Sequence, residues 1–136
     1  EHSTETQMPF VKYYFEEAEV VEIVYGDVDF NDISLLIDEL LSDENNFIVI
    51  STDLSHFYTL EQARNIDNIC LHAIKTLDIS TFDSGGEACG MIGVKAMIAS
   101  SLKNNFRSKI ADYRTSFDAS NDSSRVVGYV SALIGK

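Results

Sequence analysis

The chain has 136 residues, of which 45% are apolar and 24% charged. That fits one folded domain over residues 1–136 and excludes a disordered chain. Ten Lys and Arg stand against 22 Asp and Glu, a formal charge of −12, which argues against nucleic acid or an anionic membrane surface as partner. No apolar run approaches the roughly 20 residues that a membrane helix needs.

In chain order, the first β-rich run is residues 20–25, ending at the turn Gly26-Asp27. Asp29 is placed to cap a helix carrying Phe30, Ile33, Leu36, Ile37, Leu40 and Leu41 on one side, broken at Asn45-Asn46. The continuous apolar run of residues 47–50 predicts a strand covered on both faces. Thr59 with Gln62 forms a capping box, and a helical stripe from Leu60 through Ala63, Cys70 and Ile74 continues as far as Asp78. A loop over residues 79–88 carries Gly85-Gly86. A nearly all-round apolar helix then runs from Gly90 to about Leu102. Residues 110–117 alternate like a strand, residues 118–124 read as a loop, and residues 126–134 read as a buried final strand. The alternation predicts an α/β layered sandwich with a mainly parallel or mixed central sheet flanked by helices.

Residues with chemical potential are few. Asp53 and His56, in Ser51-Thr52-Asp53-Leu54-Ser55-His56, follow the carboxyl end of the run at 47–50, where ligands collect in open α/β sheets. An aspartate three residues before a histidine can fix its tautomer for acid–base work, or simply cap the next turn. Ser55 is adjacent to His56 and so points to the opposite face, which argues against a nucleophilic serine. Cys89 precedes Gly90 at a helix start, a position that favours a thiolate; the residues alone leave a reactive, ligating or structural role open. Cys70 falls in an apolar stripe and reads as an inert buried thiol, His72 as an exposed residue of the same helix. His2, in Glu1-His2-Ser3-Thr4-Glu5, is either a terminal residue or a site lining. Two cysteines allow at most one disulfide, and nothing resembles a secretory leader, so a cytoplasmic location is expected. The start at Glu1 rather than Met suggests a processed or excised chain.

Taken as a set, these segments resemble the MEMO family. Glu1-His2-Ser3 with Glu5, Gln7, Pro9 and Phe10 resembles its Glu-His-Ser…Gln-Leu-Pro-Phe segment, and Ser51-Thr52-Asp53-Leu54-Ser55-His56-Phe57 its Ser-Ser-Asp-Leu-Ser-His-Tyr. Ala88-Cys89-Gly90 matches its Ala-Cys-Gly, and Thr115-Ser116-Phe117-Asp118 with Ser124-Arg125-Val126-Val127-Gly128-Tyr129 its closing motif. The resemblance covers the carboxyl-terminal half of the family and implies a fold similar to class III extradiol dioxygenases. The family's metal site is described as two upstream histidines plus the cysteine. By that implication Cys89 is a metal ligand for iron or copper, His56 the acid–base residue beside Asp53, and His2 a cofactor-binding residue of the same cleft. Microbial members are linked by name to AMMECR-like and radical-SAM proteins, as the AmmeMemoRadiSam set. The chain departs from the family in lacking the two upstream histidines, in having Met91-Ile92-Gly93 where many members place a proline, and in Phe117 for a glycine.

The function implied is a metal-binding protein with a redox or dioxygenase-like role. The alternative is a non-enzymatic module that binds a peptide or protein partner, which for a phosphotyrosine ligand would require Arg107, Arg114 and Arg125 to converge. A third expectation is a half-protein that works on assembly, as a homo-oligomer joined through an exposed sheet edge.

Overall fold

The computed structural model describes residues 2–136. Two short helices, α1 (His2–Glu5) and α2 (Met8–Tyr14), open the chain, with Pro9 in the first turn of α2, where a missing N–H costs nothing. Helix α3 (Phe30–Leu40) starts as expected at Asp29, whose carboxylate accepts the Asn31 N–H. After the short strand β1 (His56–Tyr58), helix α4 (Leu60–Thr76) begins at the full Thr59/Gln62 capping box and ends at Leu77 in the left-handed region. A four-residue helix α5 (Ile79–Phe82), capped by Asp78, occupies part of the expected loop. Helix α6 (Met91–Lys103) precedes strand β2 (Arg107–Thr115), the turn of helix α7 (Phe117–Ser120) and strand β3 (Val126–Gly135).

The architecture is mixed α/β, as expected, but among the described residues the sheet is antiparallel rather than mainly parallel or mixed. It has three strands in the order β1-β3-β2, all antiparallel. Residues 20–25 and 47–50 form no strand and carry no regular secondary structure: among the described residues their backbones have no backbone hydrogen-bond partner. A strand exists only where a second one lies in register, and that information is not in the segment itself. Nor is the run at 47–50 covered on both faces. Ile48 and Ile50 are half-buried, whereas Phe47 and Val49 are exposed.

The final strand also has one bare face, with Val126, Gly128, Val130, Ala132 and Ile134 turned inward and Tyr129 and Leu133 exposed. In β2 a bulge between Ile110 and Asp112 inserts Ala111, which shifts the alternation so that both Ile110 and Tyr113 face the core. Helix α4 lies on this inner face. Cys70, Ala73, Ile74 and Leu77 of its stripe join Leu54, Phe82, Val94 and Ile98 in the main core.

Helix α3 packs on α6, and the contact is pinned by Asp38. Its carboxylate accepts from Lys103 Nζ and Ser100 Oγ at 2.6 Å and from Asn104 Nδ2 at 2.9 Å. The Lys103 bond, then the Ser100 bond, hold this carboxyl below its ordinary 3.8. A carboxyl whose folded value is lowered adds stability above its unfolded value and loses it as pH falls through the folded one. Asp38→Asn is therefore expected to cost about 1 kcal/mol at pH 7, chiefly through the Ser100 bond because Lys103 is solvent-screened. Urea titrations should show the difference from the parent closing below about pH 4.

Both of these runs reach α6 at Gly93. Its N–H donates to Tyr25 Oη at 3.1 Å, and an added Cβ would collide with that oxygen and stand 3.3 Å from Ile50 Cγ2. Gly93→Ala should therefore push Tyr25 off the helix, read as a lower melting temperature and a shifted Tyr25 ring resonance.

Candidate functional site

Hydrogen bonds rather than a ladder place the loop that carries Asp53 and His56. Ser51 Oγ donates to the Ser3 carbonyl at 2.6 Å and accepts from Gln7 Nε2 at 3.2 Å, which seats the amino-terminal helices beside the loop. Leu54 N–H donates to the Gly128 carbonyl at 2.9 Å, and Gly128 N–H returns to the Ser55 carbonyl at 3.0 Å. Ser55 N–H donates to Asp67 Oδ1 at 2.9 Å. His56 then opens β1 opposite Val127, and Phe57 follows at φ +66, a left-handed conformation that breaks the register before Tyr58 pairs with Val126.

The facing wall is the turn into α6. Cys89 N–H donates to the Asp53 carbonyl at 3.1 Å, and Asp53 N–H donates back to Cys89 Sγ at 3.1 Å. Thr52 Oγ1 stands 3.5 Å from the same sulfur and accepts the Gly90 N–H at 2.8 Å. Only glycine fits at position 90, because a Cβ there would lie 2.9 Å from Thr52 Cβ. The Cys89 thiol is exposed and receives a backbone donor at the head of a helix, an arrangement suited to a reacting or ligating sulfur.

His56 and Cys89 line the same open cleft of about 310 Å³, with Leu54, Gly86, Glu87, Ala88 and Met91. His56 Nε2 lies 3.5 Å from Asp53 Oδ2, and their side chains are 34% and 47% exposed. Such a loose, screened pair orients an imidazole but contributes little stability. Glu87 Oε1 accepts from Tyr58 Oη at 2.8 Å, a bond that raises the tyrosine's ionisation above its ordinary range. A larger hollow of about 760 Å³ over the first turns of α4 is lined by Arg64, Glu61, Asn65 and Asn68 among others, but by no histidine or cysteine.

Other sequence candidates stand apart from the cleft. The His2 side chain is 97% exposed, with Nδ1 2.7 Å from Glu5 Oε2, and it is not among the residues lining the cleft; its segment touches the Ser51 loop through Ser3 and Gln7 instead. Cys70 is buried beneath the cleft, its thiol donating to the Glu87 carbonyl at 3.2 Å, and burial pushes it up to about 11. Ser55 is fully buried, and its hydroxyl has no hydrogen-bond partner among the described residues, so it makes no serine–histidine pair. His72 is exposed. Arg107 and Arg114 lie at opposite ends of β2, roughly 23 Å apart at strand spacing, so no three-arginine patch forms.

Sequence reasoning passed over Thr52, Glu87 and Asp67. Asp67 carried a signal: it stands four residues after Ala63 and three before Cys70, on the buried side of α4.

A family model described as Memo-like protein matches residues 1–133. A MEMO1 family protein of Methanosarcina acetivorans is 32% identical, over 98% of this chain and 55% of its own length. One from Methanobrevibacter smithii is 33% identical over 98% and 51%, and one from Aquifex aeolicus 29% over 98% and 54%. The chain spans about half the length of the curated relatives it matches.

Proposed function

The chain belongs to the Memo-like family, and from that membership we propose that the His56–Cys89 cleft is its working site. His56, oriented by Asp53, moves a proton, and Cys89 presents the sulfur. The observation that carries this reading is the meeting of an imidazole and an exposed thiol, far apart in sequence, at one cleft mouth. The fold relationship to class III extradiol dioxygenases belongs to the same proposal and assigns His56 the acid–base role.

Iron or copper fits this chain's donors only in part. Among the described residues no three His, Cys, Asp or Glu side chains are grouped so as to hold a metal ion, and a mononuclear site wants three or more. Cys89 is then one soft ligand of a set that needs donors from outside this group, and softness favours copper(I) over magnesium or calcium. Copper(I) titration followed by elemental analysis tests it. Uptake below one equivalent that disappears in Cys89→Ser is expected. Metal content unchanged by Cys89→Ser removes the sulfur from the ligand set.

A second reading is favoured by one observation. Val20, Val21, Ile23 and Val24, with Phe47 and Val49, are exposed on strand-like sequence that, among the described residues, has no ladder. Such edges accept added strands, which supports a protein or homo-oligomeric partner completing the sheet there. Among the described residues no helix is long and apolar enough to cross a membrane. Light scattering should report an oligomer; a lone monomer at high concentration counts against self-association.

A further inference from the structure

We propose that Asp67 is a positioning residue that fixes where His56 stands at the cleft. The inference rests on the reading of that cleft as the working site and adds a residue from behind it. Asp67 is fully buried in the middle of α4, and among the described residues no salt bridge reaches its carboxylate. Its oxygens accept instead from the Ser55 N–H at 2.9 Å and from Tyr113 Oη at 2.7 Å. Burial and this bond raise the Tyr113 hydroxyl well above its ordinary range, so it remains a donor.

A buried carboxylate is costly, and an apolar residue would fill the same space more cheaply. The position holds a carboxylate, and its bond falls on the residue immediately before His56. Ser55 is gripped from two sides, by Asp67 at its N–H and by Gly128 at its carbonyl. The adjoining Phe57 takes a left-handed φ of +66 and lies under Arg125 at 4.9 Å. With Ser55 locked and Phe57 turned, His56 has little freedom in where it projects. Asp53, two residues upstream, is tied to Cys89 through both backbone groups, so a shift at Ser55 reaches both walls of the cleft. The close approach of Gly128 to the carboxylate shows the same constraint from the sheet side.

The test compares Asp67→Asn and Tyr113→Phe with the parent, using Asp38→Asn as a control that loosens the fold away from the cleft. Two signals are read in folded protein at fixed pH: the His56 ring resonances and the rate at which iodoacetamide alkylates Cys89. The expected result is a displaced His56 signal and an alkylation rate changed about tenfold in Asp67→Asn, a fraction of what an ångström of misplacement costs in an active site. Tyr113→Phe, which keeps the Ser55 bond, should change both less in the same direction, and Asp38→Asn neither. A less stable Asp67→Asn protein with unmoved His56 resonances overturns the proposal. If Asp67→Asn does not fold, unmoved His56 resonances in Tyr113→Phe do so. Failure of the cleft reading is distinguishable, because it appears in the parent as a Cys89 rate indifferent to His56→Ala, while the His56 resonances still report on Asp67.

Discussion

Gly128→Ala is expected to lose about 3 kcal/mol or more of folding stability, measured by urea or thermal unfolding. Gly128 is buried in β3, and its added methyl would collide with Asp67 Oδ2 while standing 2.6 Å from Cγ and 2.8 Å from Oδ1. The carboxylate cannot retreat without leaving the buried Ser55 N–H or the hydroxyl of half-buried Tyr113, each of which would then lose its acceptor. Overpacking and an orphaned polar group therefore add. Gly26→Ala is the matched control, since a Cβ there meets nothing within 4 Å. Equal stability of the two variants would show that β3 and α4 give way at low cost, against the tight seat described here.

The second large effect separates the two thiols. In native protein near neutral pH, Cys89 should be alkylated at least about 10³-fold faster than Cys70. Burial pushes Cys70 up to about 11, aided by the Asp67 and Glu87 carboxylates, so its thiolate is scarce. It is also shut off from reagent beneath Gly86, where even an added Cβ would lie 3.0 Å from the sulfur. Cys89 is exposed. Peptide mass spectrometry should find one adduct on the folded chain, at Cys89, and a second only after denaturation. Comparable native rates would mean that the loop around Gly86 opens freely and that the cleft floor is not fixed.

What the sequence disclosed and what it hid divide along the range of the interactions involved. The Thr59/Gln62 box and the Asp29 cap are contacts within one turn, and both helix starts follow from them. Residues 20–25 and 47–50 have the composition of strands, but pairing depends on a distant partner, and among the described residues none is in register. Strand β1 was invisible for a related reason: it is three residues long and interrupted by Phe57 at positive φ. Within the site, the loop after residues 47–50 and the helix-start cysteine were legible from position alone. Their closeness was not, because it comes from the paired bonds between Asp53 and Cys89 and from Gly90 admitting Thr52. His2 illustrates the converse, since its segment docks through Ser3 while its imidazole pairs with Glu5 in solvent.

The proposed function requires imidazole and sulfur to act as one site. Its most direct measurement is the alkylation rate of Cys89 across the pH range where imidazoles titrate, in the parent and in His56→Ala with Cys70→Ala in both backgrounds. A step in the parent profile that vanishes with His56 is the predicted outcome. Superimposable profiles would show that the two groups share a cleft without sharing chemistry.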